Sequence, residues 1–119
     1  MDLGLKDKAV IVTGGGSNIG RAIVLGFARE GAKITIGDID LAQANAVADE
    51  ARKAGAAAVQ VAQCDVTSLE QVQAMFKQTT DAYGALDVLV NNVGWDKLMF
   101  FTQTTPDLWA KIIQVNFVG

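Results

Sequence analysis

Residues 13 to 20 read Thr-Gly-Gly-Gly-Ser-Asn-Ile-Gly, a glycine-rich turn set between an apolar strand pattern, Ala9 to Val12, and an apolar helix pattern at Ile19, Ile23 and Phe27. Glycine tolerates positive φ and lets the backbone approach a ligand closely. The helix that follows offers amide N–H groups with no intrahelical partner, which suit an anion. A tight turn with no ligand would use the same residues, so the surroundings must decide between the two readings.

The surroundings favour a ligand. A second apolar strand, Lys33 to Gly37, ends in Asp38, which stands 18 residues after Gly20. That is close to the spacing at which an acid reaches the ribose of a dinucleotide whose pyrophosphate sits on the glycine turn. A P-loop reading fails, because no lysine followed by serine or threonine closes the turn.

Composition narrows the function classes. The 119 residues are 50% hydrophobic, enough for one domain, and the formal net charge of -3 comes without a basic cluster, which argues against nucleic acid or an anionic membrane as partner. Small-molecule chemistry is the expectation. Cys64 is the only cysteine, so no intramolecular disulfide can form. The chain has no histidine to lower a thiol pKa, so Cys64 reads as a small buried side chain and not as a nucleophile. Residues 1 to 8 mix Asp2, Lys6, Asp7 and Lys8 with two leucines, lack a signal-peptide core, and support a cytoplasmic location.

The chain alternates strand and helix. Strands are expected at Ala9 to Thr13, Lys33 to Asp38, Ala57 to Cys64 and Leu86 to Asn91. Helices are expected at Asn18 to Glu30, Leu41 to Ala54, Leu69 to Tyr83 and Pro106 to Val118, the third with Leu69, Val72, Phe76 and Tyr83 on its packed face. Asp40 and Ser68 stand as N-caps, and Gly31, Gly55 and Gly84 as C-terminal caps. Helical crossovers of this length join parallel strands, so the fold class is α/β, with four parallel strands in a doubly wound sheet of β-α-β-α-β-α-β-α order.

These motifs together resemble the short-chain dehydrogenases/reductases, from Lys8 to Gly119. The family's Thr-Gly-x-x-x-Gly-x-Gly is matched by Thr13, Gly14, Gly15, Gly16, Ser17, Asn18, Ile19 and Gly20, with Asn18 in place of the middle glycine. Asparagine is the mildest such replacement, since it tolerates the left-handed conformation. The resemblance implies a Rossmann-type domain whose N-terminal dinucleotide-binding portion is residues 1 to 119. It implies a cofactor contact for Gly14, Ser17, Asn18, Ile19 and Gly20, and an adenine contact for Asp65 with Val66. The family's Asn-Asn-Ala-Gly appears as Asn91, Asn92, Val93 and Gly94, which places Asn92 and Gly94 at the cofactor, although such amides also satisfy strand-end backbone groups. Asn116, in Gln-Val-Asn-Phe-Val-Gly, matches the asparagine with which family members hold a water in a proton relay.

The same resemblance implies an oxidoreductase that transfers a hydride between a nicotinamide cofactor and a secondary alcohol or ketone. A carboxylate at Asp38 favours NAD, because it would repel the extra phosphate of NADP, and Ser17 and Ile39 stand where NADP binders place a base. Arg21 either reaches a phosphate or, the favoured reading, points to solvent or pairs with a carboxylate. The family's catalytic serine and Tyr-x-x-x-Lys have no match here: the only tyrosine is Tyr83 and the only serines are Ser17 and Ser68. The chain is therefore expected to be the N-terminal portion of an enzyme, inactive alone, with Leu86 to Val90 as an apolar edge of the sheet. A catalytically silent NAD-binding or assembly module is the alternative. As an intact enzyme it is expected to form a homodimer or homotetramer. The apolar stretch Leu98 to Phe101 after Gly94 and Trp95 either meets substrate, or its Met99, Phe100 and Phe101 pack under the next helix; Gly-Trp-Asp at 94 to 96 resembles dehydrogenases of cyclic or aromatic hydroxyacyl-CoA intermediates.

Overall fold

The computed structural model describes residues 2–95 and 97–119. Four parallel strands, β1 (Ala9–Thr13), β2 (Lys33–Asp38), β3 (Ala58–Gln63) and β4 (Val88–Val90), lie in the order β3-β2-β1-β4. Helices α1 (Asn18–Arg29) and α2 (Leu41–Ala54) cover one face and α3 (Leu69–Tyr83) covers the other, the doubly wound arrangement expected. α4 (Pro106–Ile113) follows a short 3₁₀ turn at Phe101–Gln103.

Each helix begins where a side chain can serve its orphan amides. Ser17, Asp40, Ser68 and Thr105 accept hydrogen bonds from the amides of Gly20, Gln43, Gln71 and Leu108. α2 and α3 stop at Gly55 (φ 116°) and Gly84 (φ 77°), whose left-handed backbones turn the chain off the helix axis. α1 ends one residue before the expected Glu30: Glu30 is the cap, and Gly31 follows at φ 76°, with Ala32 N–H donating to Phe27 O in a Schellman-type closure.

The strand β1 reads as a continuous apolar run because it is buried on both faces. Val10, Val12, Ile34 and Ile36 face α1 and α2, while Ile11, Ala62, Cys64 and Met75 form the second core beneath α3. Between β2, β3 and α3 lies a closed polar network. The Thr79 and Thr35 hydroxyls are 2.8 Å apart, Thr79 Oγ1 is 2.9 Å from Met75 O, and Gln60 Nε2 donates to Thr35 Oγ1 at 2.9 Å. A hydroxyl donates one proton, so every group is satisfied when Thr79 gives its proton to Met75 O and Thr35 gives its own to Thr79.

Several expectations shift. β3 is shorter than Ala57 to Cys64, although Ala57 N–H to Ala32 O and Cys64 N–H to Asp38 O continue the contact with β2 at both ends. β4 is half the expected length because it pairs with β1 alone, over Val88 to Val90, at the edge of the described sheet. At its start the ladder is continued by Asp87, whose amide donates to Ala9 O while its Oδ2 accepts from Ala9 N–H, each at 2.9 Å. Leu69 does not join the packed face of α3; it is exposed as the first residue of the helix, and Met75 and Thr79 are the buried positions. The expected helix to Val118 changes character at Gln114: residues Gln114–Val118 form a wider π turn, closed by Gly119 N–H to Gln114 O at 2.7 Å.

Candidate functional site

The C-terminal ends of the four strands open into one cavity of about 220 Å³, among whose lining residues are Gly14, Ser17, Asp38, Asp65, Val66, Asn92 and Gly94. This is the end of an open α/β sheet where ligands bind. Seven of the residues expected from sequence are thus brought together. Asn18, Ile19 and Gly20 are not in that lining. Asn18 and Ile19 are exposed at the first positions of α1, where their amides have no earlier turn of helix to bond.

Gly20 is buried under the turn. A Cβ there would stand 2.0 Å from Gly14 O and 2.8 Å from Asn92 Nδ2, so the helix start can sit this close to the turn only as glycine. Gly14 has φ 63° and is the left-handed residue of the loop. Asn18 is not left-handed: among the described residues Asp7 is the only non-glycine with positive φ. Its tolerance of that conformation is therefore not what lets it replace glycine; as the first helical residue it needs only ordinary helical angles.

Asp38 is fixed from two sides. Its Oδ2 accepts from Gly16 N–H at 2.9 Å and its Oδ1 from Asp40 N–H at 3.0 Å, which ties the end of β2 to the glycine loop. A Cβ on Gly16 would come within 2.8 Å of that carboxylate and 3.0 Å of Ala44 N, so the loop packs closely on the end of β2 and the start of α2. The carboxylate remains half-buried at the cavity edge, with lone pairs left to accept further donors.

Across the cavity, Asn92 bridges β4 and the loop. Its amide N–H donates to Thr13 Oγ1 at 3.0 Å and its Nδ2 to Gly14 O at 3.2 Å, while Thr13 Oγ1 donates to Val90 O at 3.2 Å. The structural role open to a strand-end asparagine is thus filled. Asp65 Oδ1 accepts from both the hydroxyl and the amide of Thr67, and those hydrogen bonds hold its carboxyl below the usual range. Burial, reinforced by the Asp65 charge, pushes the Cys64 thiol up, consistent with an inert packing role.

Arg21 does not reach the glycine loop; its guanidinium pairs with Glu50 of α2. Tyr83 donates to Ile34 O at 2.8 Å, and burial raises its phenol to about 12, far from the range of a general acid or base at neutral pH.

Asn116 lies in the π turn beside a second, open cavity with Gly94, Trp95 and Ile112. Its Oδ1 accepts from Trp95 N–H at 2.9 Å, and its Nδ2 donates to Trp95 O and to Ile112 O. The side chain is therefore occupied in holding the peptide of Trp95, with one Oδ1 lone pair remaining. The burial expected from packing under the next helix is not seen: Phe100 and Phe101 are exposed and Met99 is half-buried, while Phe101 stacks on Trp109 of α4 at 5.6 Å between ring centroids. Asp96 lies outside the described residues. Sequence reasoning missed Gln43 and Val115 in this cavity: Gln43 stands in α2 with no motif around it, and Val115 is the apolar neighbour of the residue its motif singles out, Asn116.

Comparison with known proteins agrees with this geometry. The chain is 40% identical over 113 residues to D-xylose 1-dehydrogenase of Caulobacter vibrioides, covering 94% of this chain and 43% of that protein. It is 34% identical over 117 residues to (2S)-[(R)-hydroxy(phenyl)methyl]succinyl-CoA dehydrogenase subunit BbsD of Thauera aromatica, covering 98% and 47%. The chain thus spans about half the length of the curated relatives it matches. A crystal structure from Burkholderia xenovorans assigned to the short-chain dehydrogenases/reductases superposes with TM-score 0.88 at 34% identity, over 96% of this chain and 47% of that one. With the short chain dehydrogenase family model also matching residues 8–119, the glycine loop, the acid that ends β2 and the parallel sheet beneath them belong to a member of the short-chain dehydrogenase family.

Proposed function

We propose that this chain is the N-terminal dinucleotide-binding portion of an NAD-dependent oxidoreductase that moves a hydride between nicotinamide and a secondary alcohol or ketone. The observation that carries the reading is the Asp38 carboxylate, held by Gly16 N–H and Asp40 N–H at the edge of the cavity. Held there, it can accept from ribose hydroxyls and would repel a phosphate in the same place. The loop fits such a group: Gly14 is left-handed and the Gly20 amide is already capped by Ser17, which leaves the Asn18 and Ile19 amides for a pyrophosphate.

In this reading Asp65 and Val66 meet the adenine and Asn92 and Gly94 line the far ribose. The dinucleotide, when bound, supplies the hydride acceptor or donor. Asn116 holds the Trp95 peptide and offers its remaining Oδ1 lone pair to a relay water. The tyrosine and lysine that handle the substrate proton in the family have no counterpart in these 119 residues, and Tyr83 does not substitute for them. A cyclic or aromatic hydroxyacyl-CoA is the substrate class we favour, on the Gly94-Trp95-Asp96 run and the similarity to the Thauera aromatica subunit. A cytoplasmic homo-oligomer completes the reading; among the described residues no helix is long and apolar enough to cross a membrane.

The test is a calorimetric titration of NADH and NADPH against the chain and its Asp38→Ala and Asp38→Asn variants. A hydrogen bond to a charged group is worth about 1.5–3 kcal/mol, so Asp38→Ala should weaken NADH roughly ten- to hundredfold while NADPH loses much less. Asp38→Asn keeps an acceptor for the loop amide but removes the charge, and should narrow the preference with less loss of NADH. An unchanged preference in both variants would remove Asp38 from the cofactor site. Tight NADH binding without turnover in the full-length protein would instead favour the silent binding module.

A further inference from the structure

Trp95 is held more firmly than a loop residue requires. Both its backbone groups are taken by the Asn116 amide, and Asn116 is itself anchored to Ile112 O at 2.9 Å. Its indole is half-buried, with Lys111 Nζ 3.8 Å from the ring centroid. A cation on one face of an indole is favourable and leaves the other face and the ring edge for a ligand. Asn116 and Lys111 both come from the segment of α4 and its π turn, so one element fixes both the peptide and the ring.

The position of Trp95 gives this arrangement a purpose. Gly94 lines the cavity that holds Asp38 and Asp65, and it also borders the next cavity, with Trp95, Ile112 and Asn116. Trp95 also borders a third opening, lined by Lys111 among others. The indole is therefore the partition met by a ligand long enough to run past Gly94. An aromatic face is suited to seat a planar heteroaromatic ring.

From this we infer that Trp95 is the wall that seats the nicotinamide end of the dinucleotide, and that Lys111 is the positioning residue that holds the indole for it. The inference rests on the cofactor reading above, and the experiment separates the two. Among these 119 residues, Trp109→Phe leaves Trp95 as the only tryptophan and keeps an aromatic ring opposite Phe101. In that background, NAD⁺ and ADP-ribose are titrated by calorimetry and by Trp95 emission.

The expected result is that both ligands bind but only NAD⁺, which carries the nicotinamide ring, quenches Trp95. Binding of both with no quenching, or equal quenching by both, would overturn the inference while the cofactor reading stands. Binding of neither would overturn the cofactor reading and the inference with it. Lys111→Met should weaken NADH about two- to fivefold, the worth of an exposed cation–π contact, and leave ADP-ribose unchanged. Lys111→Arg should restore the NADH affinity. An equal loss for both ligands would reduce Lys111 to a structural role and refute its part in the inference.

Discussion

Helix α1 carries two glycines that the same substitution should affect with opposite signs. At Gly20, a new methyl would stand 2.0 Å from Gly14 O and 2.8 Å from Gly14 C and Asn92 Nδ2. Two of those atoms are backbone of the cofactor loop and cannot rotate away. Overpacking of a close contact costs typically about 1–3 kcal/mol, and a backbone obstacle places Gly20→Ala at the top of that range, roughly 3 kcal/mol. At Gly26 a methyl would meet nothing within 4 Å outside the helix backbone, and alanine is favoured over glycine in a helix interior by about 0.8–1 kcal/mol. The gap between the variants is then about 4 kcal/mol. Urea unfolding followed by far-ultraviolet circular dichroism reads this directly. In thermal melts, at about 4 °C per kcal/mol for a domain of this size, Gly20→Ala should lose roughly 12 °C and Gly26→Ala should gain a few. NADH affinity should fall for Gly20→Ala alone, because its relief must move the Gly14 carbonyl and the Asn92 amide. If Gly20→Ala lies within about 1 kcal/mol of the parent, or both variants shift the same way, the close approach of α1 to the loop is not what requires glycine.

Two further outcomes follow from the core and from Tyr83. Thr79→Val removes a link of the buried hydroxyl chain and should cost about 1–3 kcal/mol in urea unfolding, since the Thr35 hydroxyl loses its acceptor. Thr35→Val with Thr79→Val should cost less than the sum of the single changes, and strict additivity would refute a shared network. The Tyr83 phenol titrates near 10 when unfolded and about 12 when folded, so the folded state holds the proton more tightly. Its contribution to stability is whole below pH 10 and is lost as pH rises toward about 12, a slope that Tyr83→Phe should abolish. An ultraviolet phenolate titration with its midpoint near 10 in the folded protein would contradict the burial.

How much of this was legible in the residues depended on how far apart the interacting groups lie. Asp40 and Ser68 could be recognised as caps because each serves an amide three positions away, and Gly55 and Gly84 because the left-handed turn they make is their own. β1 and β2 were readable for a related reason: each is buried over most of its length and so carries an almost unbroken apolar pattern. The pattern failed where a neighbour was missing. β4 pairs on one side only and stops at Val90, and Leu69 is apolar without a sheet residue to meet.

The sequence by itself therefore determined the alternation of strands and helices, most helix limits, and the chemical types at the strand ends, because these follow from periodicity and from contacts within a turn of the chain. Only the tertiary structure decided that Asp38 grips Gly16, that Gly20 sits against Gly14 and Asn92, that Thr35 and Thr79 share a proton chain, and that Asn116 holds Trp95 across 21 residues. Those pairings join residues distant in the chain through single hydrogen bonds or single close approaches, and neither leaves a repeat along the sequence; they exist only once the parallel sheet has brought its strand ends to one side.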